Sequence, residues 1–324
     1  MTPVVSVIIP TYKRPEYLRR AIKSVLSQSF QNFELIVVEN GDSVEGRDVV
    51  SKFQAANHRV RYLYRQEPDP CLARNVGITA AKGKYIALLD NNDEWLTTKL
   101  ERQTAVLDSD PSVGLVTSRG WWVDAQGRTF AEIPTNFRGA PSYTDLVLMG
   151  CFIYTLSSVM IRRSCLDEVG LFDSRYFIAN DYDLYLRLAR KYRFASIEQP
   201  LFKYYQHPGG MSQDVWRTKW EMIEILKALP PTPVDGVTRR MVNRRVAELS
   251  HMIGAKAMDR KQYGSAIRGY LTALCYDPFI GVRVSWGRFA NPLYRLLRPY
   301  GAVIYCLFLW GQRAIGLGHS YAED

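Results

Sequence analysis

Chemistry-bearing residues concentrate in the stretch from Gly83 to Trp95. Asp90, Asn91, Asn92, Asp93 and Glu94 place three carboxylates and two carboxamides at five consecutive positions. Hard oxygen ligands of this kind suit Mg2+ or Mn2+ carrying a phosphorylated substrate. Just before them, Tyr85 to Leu89 is a short apolar run, the pattern of a strand buried on both faces of a parallel sheet. Open α/β sheets bind ligands beyond the carboxyl ends of their strands, so the acidic turn falls where a ligand is expected. A solvated turn capping the next helix accounts for the same residues, and strand position alone leaves the two level.

The elements that must position this turn alternate along the chain. Val4 to Ile9 reads as a buried strand closed by Pro10, and Pro15 opens a helix to about Ser29. On that helix Leu18, Ala21, Ile22, Val25 and Leu26 share one face. Phe33 to Val38 is a second strand, and strand, helix and strand make a right-handed βαβ unit. Gly46 to Ala56 reads as a helix, Arg59 to Tyr64 as a strand and Cys71 to Ala81 as a helix. No GxGxxG follows the first strand and no GxxxxGK[ST] occurs, which excludes the dinucleotide and P-loop fingerprints. Polar residues instead end successive strands: Thr11 and Tyr12, then Glu39 and Asn40, then Asp90 to Asp93.

The chain has 324 residues, 47% of them hydrophobic, enough for one large core and a second, smaller unit. Its five cysteines are scattered without a CxxC pair, which suits reduced thiols in the cytoplasm better than a disulfide framework or a zinc site. Met1 to Val5 enters a strand without a basic segment and apolar core, so no secretion signal is expected. A net charge of +10 points to anionic partners. The basic residues are dispersed and match no recognised module, so nucleic acid is not an expected partner.

Several ordered motifs resemble the family 2 glycosyltransferases: Ser6 to Arg14, Ala21 to Ser29, Phe33 to Val38, Ala73 to Gly77 and Gly83 to Trp95. The resemblance runs through Ser212. It implies an α/β fold of GT-A type with a mostly parallel central sheet flanked by helices. It also implies a nucleotide-sugar donor and inversion at the anomeric centre. On this reading residues 1–213 form the transferase domain, and residues 214–324 a helical C-terminal region.

Site roles follow from the resemblance one position at a time. Glu39 stands where the family has an acid that accepts a hydrogen bond from the nucleobase imide, which favours a UDP-linked donor. Guanine also offers N–H donors, and a plain turn carboxylate is the simpler account of Glu39. Pro10, Thr11 and Tyr12 would line the base pocket, although packing alone explains Tyr12 as well. Arg74 and Asn75 match a polar pair near the donor, where the guanidinium fork suits a sugar or diphosphate oxygen. In the acidic motif Asp90 takes a donor-side position and Asn92 stands where the family's metal-binding Asp is usual. A carboxamide can ligate Mg2+ or Mn2+ but adds no charge, so weak metal affinity is expected. Asn180-Asp-Tyr-Asp-Leu184 matches the family's Glu-Asp-x-Asp-Leu pattern and puts the general base on Asp181. By spacing alone, Asn180 as helix N-cap with Asp181 and Asp183 favouring the helix dipole is the plainer reading. His207, in a segment that resembles the end of the catalytic domain, is a candidate metal or phosphate ligand or an ordinary surface histidine.

Between the motifs, Trp121 to Pro141 reads as irregular with a hairpin turn at Asp124 to Gly127, and Thr155 to Arg162 alternates toward a strand. Helices are expected over Asp214 to Leu229 and Val237 to Met258, and Tyr263 to Leu274 resembles one tetratricopeptide-type unit. Residues 283–317 interleave aromatics with arginines, the composition of an interfacial helix on anionic lipid or of a core helix in the small domain. The expected activity is sugar transfer to a glycan or lipid-linked acceptor in surface polysaccharide synthesis. It would take place in the cytoplasm or peripherally on the inner face of the cytoplasmic membrane. Asn40, Asn92 and Asn180 in place of carboxylates motivate an alternative, a non-catalytic nucleotide-sugar or glycan-binding module.

Overall fold

Strand β1 (Val5–Thr11) collects a partner on each side, because its valines and isoleucines are wholly buried. The computed structural model describes residues 2–124, 126–133, 141–151, 153–206, 214–230, 236–280 and 299–307. Helix α1 (Pro15–Leu26) follows with Pro15 in its first turn, and Leu18, Ala21, Ile22 and Val25 are buried as their spacing predicts. Strand β2 (Phe33–Asn40) pairs in parallel with β1 and with β3 (Val60–Arg65). Between β2 and β3 lies α2 (Val44–Ala56), capped by Ser43. Helix α3 (Pro70–Ala80) starts at Asp69, whose carboxylate accepts from the amides of Cys71 and Leu72 at 2.8 and 3.0 Å. Strand β4 (Tyr85–Leu88) completes the parallel half on the other side of β1.

Pro10 does not close the first strand as expected; it lies inside β1, opposite Val38. The carbonyls of Val4 and Ile8 accept from Tyr85 and Leu89, so even-numbered residues turn toward β4. Register with β4 ends at Ile8, so the missing N–H of Pro10 faces a place where no ladder bond is required.

Beyond β4 the sheet becomes mixed. Strand β5 (Glu94–Trp95) and helix α4 (Lys99–Ser109) lead into β6 (Val113–Val123) and β7 (Thr129–Ile133). Helix α5 (Tyr143–Met149), a 3-10 turn at Leu156–Ser158, β8 (Met160–Arg162) and α6 (Arg163–Val169) follow. Helix α7 (Asn180–Ala189) and strand β9 (Arg193–Tyr205) end the series. The order is β3-β2-β1-β4-β8-β6-β9-β5 with β7 on β6, and β8 is antiparallel to both β4 and β6. Two expectations are corrected. Trp121 and Trp122 are not irregular but belong to β6, held opposite Lys203 and Tyr204 of β9, and the Asp124 to Gly127 turn leads into β7. Thr155 to Arg162 is not one strand, because the 3-10 turn takes up its first half.

The described chain divides into two compact units, Met1–Gln213 and Asp214–Asp324. The second contains α8 (Val215–Ala228), α9 (Arg239–Asp259) and α10 (Tyr263–Tyr276), with Asp214 and Thr238 capping the first two. Val303 and Cys306 pack there against Ala257, Ala266 and Tyr270. Among the described residues no helix is long and apolar enough to cross a membrane.

Candidate active site

The acidic turn leaves β4 at the carboxyl edge of the sheet, and the 3-10 turn holds it from beneath. The Asp90 amide donates to Ser157 Oγ at 3.0 Å, and Ser157 Oγ donates to Asp93 Oδ2 at 2.5 Å. Thr155 Oγ1 lies 3.3 Å from both Asp90 Oδ2 and Asp93 Oδ2. Asp93 Oδ1 accepts the Tyr205 amide at 3.3 Å, which ties the turn to the end of β9. Asp93 is wholly buried; desolvation first, and then the neighbouring Asp90 charge, push its carboxyl far above the usual carboxylate range. Asn91 Nδ2 donates to Thr11 Oγ1 at 3.0 Å and so joins the ends of β4 and β1. Arg20 donates to the Asn92 carbonyl at 2.6 Å and stacks over the Tyr205 ring at 3.5 Å.

A polar layer below stiffens the 3-10 turn. Trp95 Nε1 donates to the Ser157 carbonyl at 2.8 Å, and Gln103 Nε2 to the Ser158 carbonyl at 2.7 Å. Lys99 is fully buried between Gln103 Oε1 and the Trp95 ring. Burial alone lowers its ammonium well below the usual lysine range. Sequence reasoning missed Thr155, Ser157, Lys99 and Tyr205. Thr155, Ser157 and Tyr205 find their carboxylate partners between 62 and 112 residues away. The partners of Lys99 are near in sequence, and only its burial, which the sequence does not show, sets it apart.

Arg74 brings the acidic turn and α7 together. Its side chain is buried, with Nη2 3.1 Å from Asp90 Oδ1 and Nη1 3.4 Å from Asn180 Oδ1. The guanidinium also lies 5.7 Å from the centre of the Phe172 ring. Asn75, the other half of the polar pair, exchanges two hydrogen bonds with the Phe172 backbone, at 2.8 and 3.0 Å. Asn180 is not the N-cap of α7: Ala179 holds that place, while Asn180 Nδ2 donates to the Phe177 carbonyl at 2.9 Å. The Asn180 side chain is already committed to Arg74 and to the Phe177 carbonyl, so it does not serve as a cap. Asp181, beside it, is half-buried and accepts the Tyr182 amide at 2.7 Å. Desolvation pushes its carboxyl up to about 6, against the pull of Arg74.

Glu39, at the end of β2, is wholly buried, and neither carboxylate oxygen has a hydrogen-bond partner. Desolvation raises it to about 7, with the Arg47 charge opposing. A buried, unpartnered carboxyl is costly unless something else binds to it. Its neighbour Asn40 accepts the Asp69 amide at 2.7 Å and aligns the start of α3. Tyr12, 41% exposed, lies over Gly41, where a Cβ would stand 2.8 Å from the ring. Gly41 also has φ +111, so two constraints exclude a side chain there.

Among the described residues no group of three or more His, Cys, Asp or Glu is placed to hold a metal. Both Asp90 oxygens are engaged, and Asp93 is enclosed. Asn92 is partly exposed, with Nδ2 3.5 Å from the Tyr205 carbonyl. These residues fit an ion that arrives with an anionic ligand rather than one caged by protein. His207 lies outside the described residues.

Comparison with known proteins accords with this layout. The model for glycosyl transferase family 2 matches residues 6–170. An uncharacterized glycosyltransferase of Methanocaldococcus jannaschii is 27% identical over 209 residues, 62% of this chain and 70% of that protein. Matches to two rickettsial glycosyltransferases span 59% and 28% of their lengths. TuaG of Bacillus subtilis, whose name refers to teichuronic acid biosynthesis, is 35% identical over 102 residues, 31% of this chain and 40% of TuaG. The crystal structure of S. aureus TarS 1-349 in complex with UDP-GlcNAc superposes with a TM-score of 0.69 at 16% identity, covering 99% of this chain and 93% of that one. Mannosyltransferase PcManGT from Pyrobaculum calidifontis, solved with GDP-Man and Mn2+, gives 0.58 at 14% identity over 98% and 88%. The α/β fold with its mixed sheet is thus the GT-A fold. With a family model spanning half the chain and the ordered strand-end motifs in place, the protein belongs to glycosyl transferase family 2.

Proposed function

We propose that the chain is an inverting glycosyltransferase that moves a sugar from a UDP-linked donor to a hydroxyl of a glycan or lipid-linked acceptor. The observation that carries this reading is the buried Arg74 guanidinium, which pairs with Asp90 and acts on the half-buried Asp181. In the reaction the acceptor oxygen bonds to the anomeric carbon, the bond to the diphosphate oxygen breaks, and the hydroxyl proton passes to Asp181. A carboxylate raised to about 6 is ionised at neutral pH yet basic enough to take that proton. Such a base contributes about 10² to 10⁴-fold. Asp90 with Arg74 would orient the sugar, and Glu39 would accept an imide N–H of the base, with Pro10, Thr11 and Tyr12 lining the pocket. UDP-GlcNAc in TarS favours uracil, although GDP-Man in PcManGT shows that the fold accepts guanine.

A Mg2+ or Mn2+ ion entering with the donor would take Asn92 as a ligand, His207 being a further candidate from the sequence, and would neutralise the departing diphosphate. Surface polysaccharide synthesis follows by analogy with TuaG. Contact with the inner face of the cytoplasmic membrane through residues 283–317 is supported by Ile304, Tyr305 and Leu307, which are exposed on one described segment. Asn40, Asn92 and Asn180 favour a second reading, a binding module without turnover. UDP release from UDP-sugars, with and without glycan acceptors, separates the two: turnover above the Asp181→Asn background supports the enzyme, and tight UDP binding with no release supports the module.

A further inference from the structure

Arg74 is buried between two different oxygens, the charged Asp90 Oδ1 at 3.1 Å and the neutral Asn180 Oδ1 at 3.4 Å. A guanidinium charge enclosed in this way acts on whatever carboxylates surround it, and strongly, because little water screens it. The groups facing Asp181 are Arg74 from α3, Asp90 from the end of β4, Cys151 after α5, and Tyr185 on α7 itself. Cys151 and Tyr185 are both held neutral by burial, so the charged neighbours are Arg74 and Asp90. Asn180 is adjacent to Asp181 and is 3% exposed, and both ends of its carboxamide are occupied.

We propose that Asn180 is a positioning residue: its uncharged carboxamide steers Arg74 onto Asp90 and leaves the whole guanidinium charge to Asp90 and Asp181. A carboxylate at position 180 would claim part of that charge and place a like charge beside the base. Asn180 therefore keeps Asp181 ionised at lower pH than a charged neighbour would allow. The inference rests on Asp181 acting as base only for its kinetic readout, since the proton equilibrium is measurable without turnover.

The test is carboxyl 13C NMR of aspartate-labelled full-length protein, with Asp181 assigned by its loss in Asp181→Asn. In Asn180→Asp, whose shape is nearly unchanged, the Asp181 midpoint moves up by about one pH unit. The pH profile of UDP release moves with it, so turnover lost at pH 6 is recovered near pH 8. Arg74→Gln, measured alongside in case Asn180→Asp fails to fold, also raises the midpoint. An Asp181 midpoint unmoved in whichever variant folds overturns the inference. A wild-type protein with the predicted NMR shifts but no UDP release overturns the transferase reading and leaves the Asn180 assignment standing.

Discussion

The Glu39 carboxyl occupies the space that a side chain at position 46 would need: a Cβ on Gly46 would stand 2.1 Å from Glu39 Oε2. Gly46 lies in the first turn of α2, so the carboxyl rests against the start of that helix. Gly46→Ala must therefore displace Glu39 or shift the helix. The expected cost is about 1–3 kcal/mol by denaturant unfolding, the usual range for overpacking. UDP affinity by calorimetry should fall with it, and wild-type values for both would show that the pocket has slack.

Glu39 also makes stability depend on pH. Its carboxyl is raised to about 7 in the folded chain from an ordinary value near 4.5. Folding therefore favours the protonated form, and stability is full below about 4.5 and lost as pH rises through 7. The shift corresponds to about 3 kcal/mol. Donor binding should run the opposite way, tightening as the carboxylate forms and accepts the imide N–H. Glu39→Gln should flatten both profiles, as read by thermal melts and by UDP titrations between pH 5 and 8.

Asp181→Asn should abolish transfer while leaving UDP binding within a few-fold, because the carboxamide keeps the shape and loses the basicity. In the unchanged protein the rate should rise with pH through about 6. Near-wild-type turnover in the variant would move the base elsewhere.

The free protein should bind Mn2+ weakly and the UDP-bound protein more tightly, because the described residues offer an ion little charge of their own. Asn92→Asp adds one carboxylate and should raise affinity for Mn2+ in the free protein by roughly tenfold. Electron paramagnetic resonance of free Mn2+ reads both, and equal affinities for the two proteins would remove Asn92 from the metal site.

The parallel half of the sheet was legible because β1, β2 and β4 are dominated by apolar residues and buried on both faces. The second half was not. The end of β6 carries Arg119, Gly120 and two tryptophans, and pairing with β7 on one side and β9 on the other makes it a strand. In the candidate site, the acidic turn and Asp181 were visible in the sequence as clustered carboxylates and carboxamides. The Arg74 to Asn180 contact was not, since its partners are 106 residues apart and neither shows its neighbour in the sequence. Asn180 read as a cap for the same reason: local propensity was the only visible claim on its side chain.

The hydrogen bond from the Tyr205 amide to Asp93 bears on the order in which the protein is made. A nascent chain emerging from the ribosome would have β1, β2, β3 and β4 available long before the last residue of β9. The parallel half can therefore gather early, while the acidic loop stays without one of its braces until Tyr205 has emerged. Long-range closure of this kind is slow, and it makes the final strand a checkpoint in biogenesis between a folded scaffold and a fully braced acidic turn.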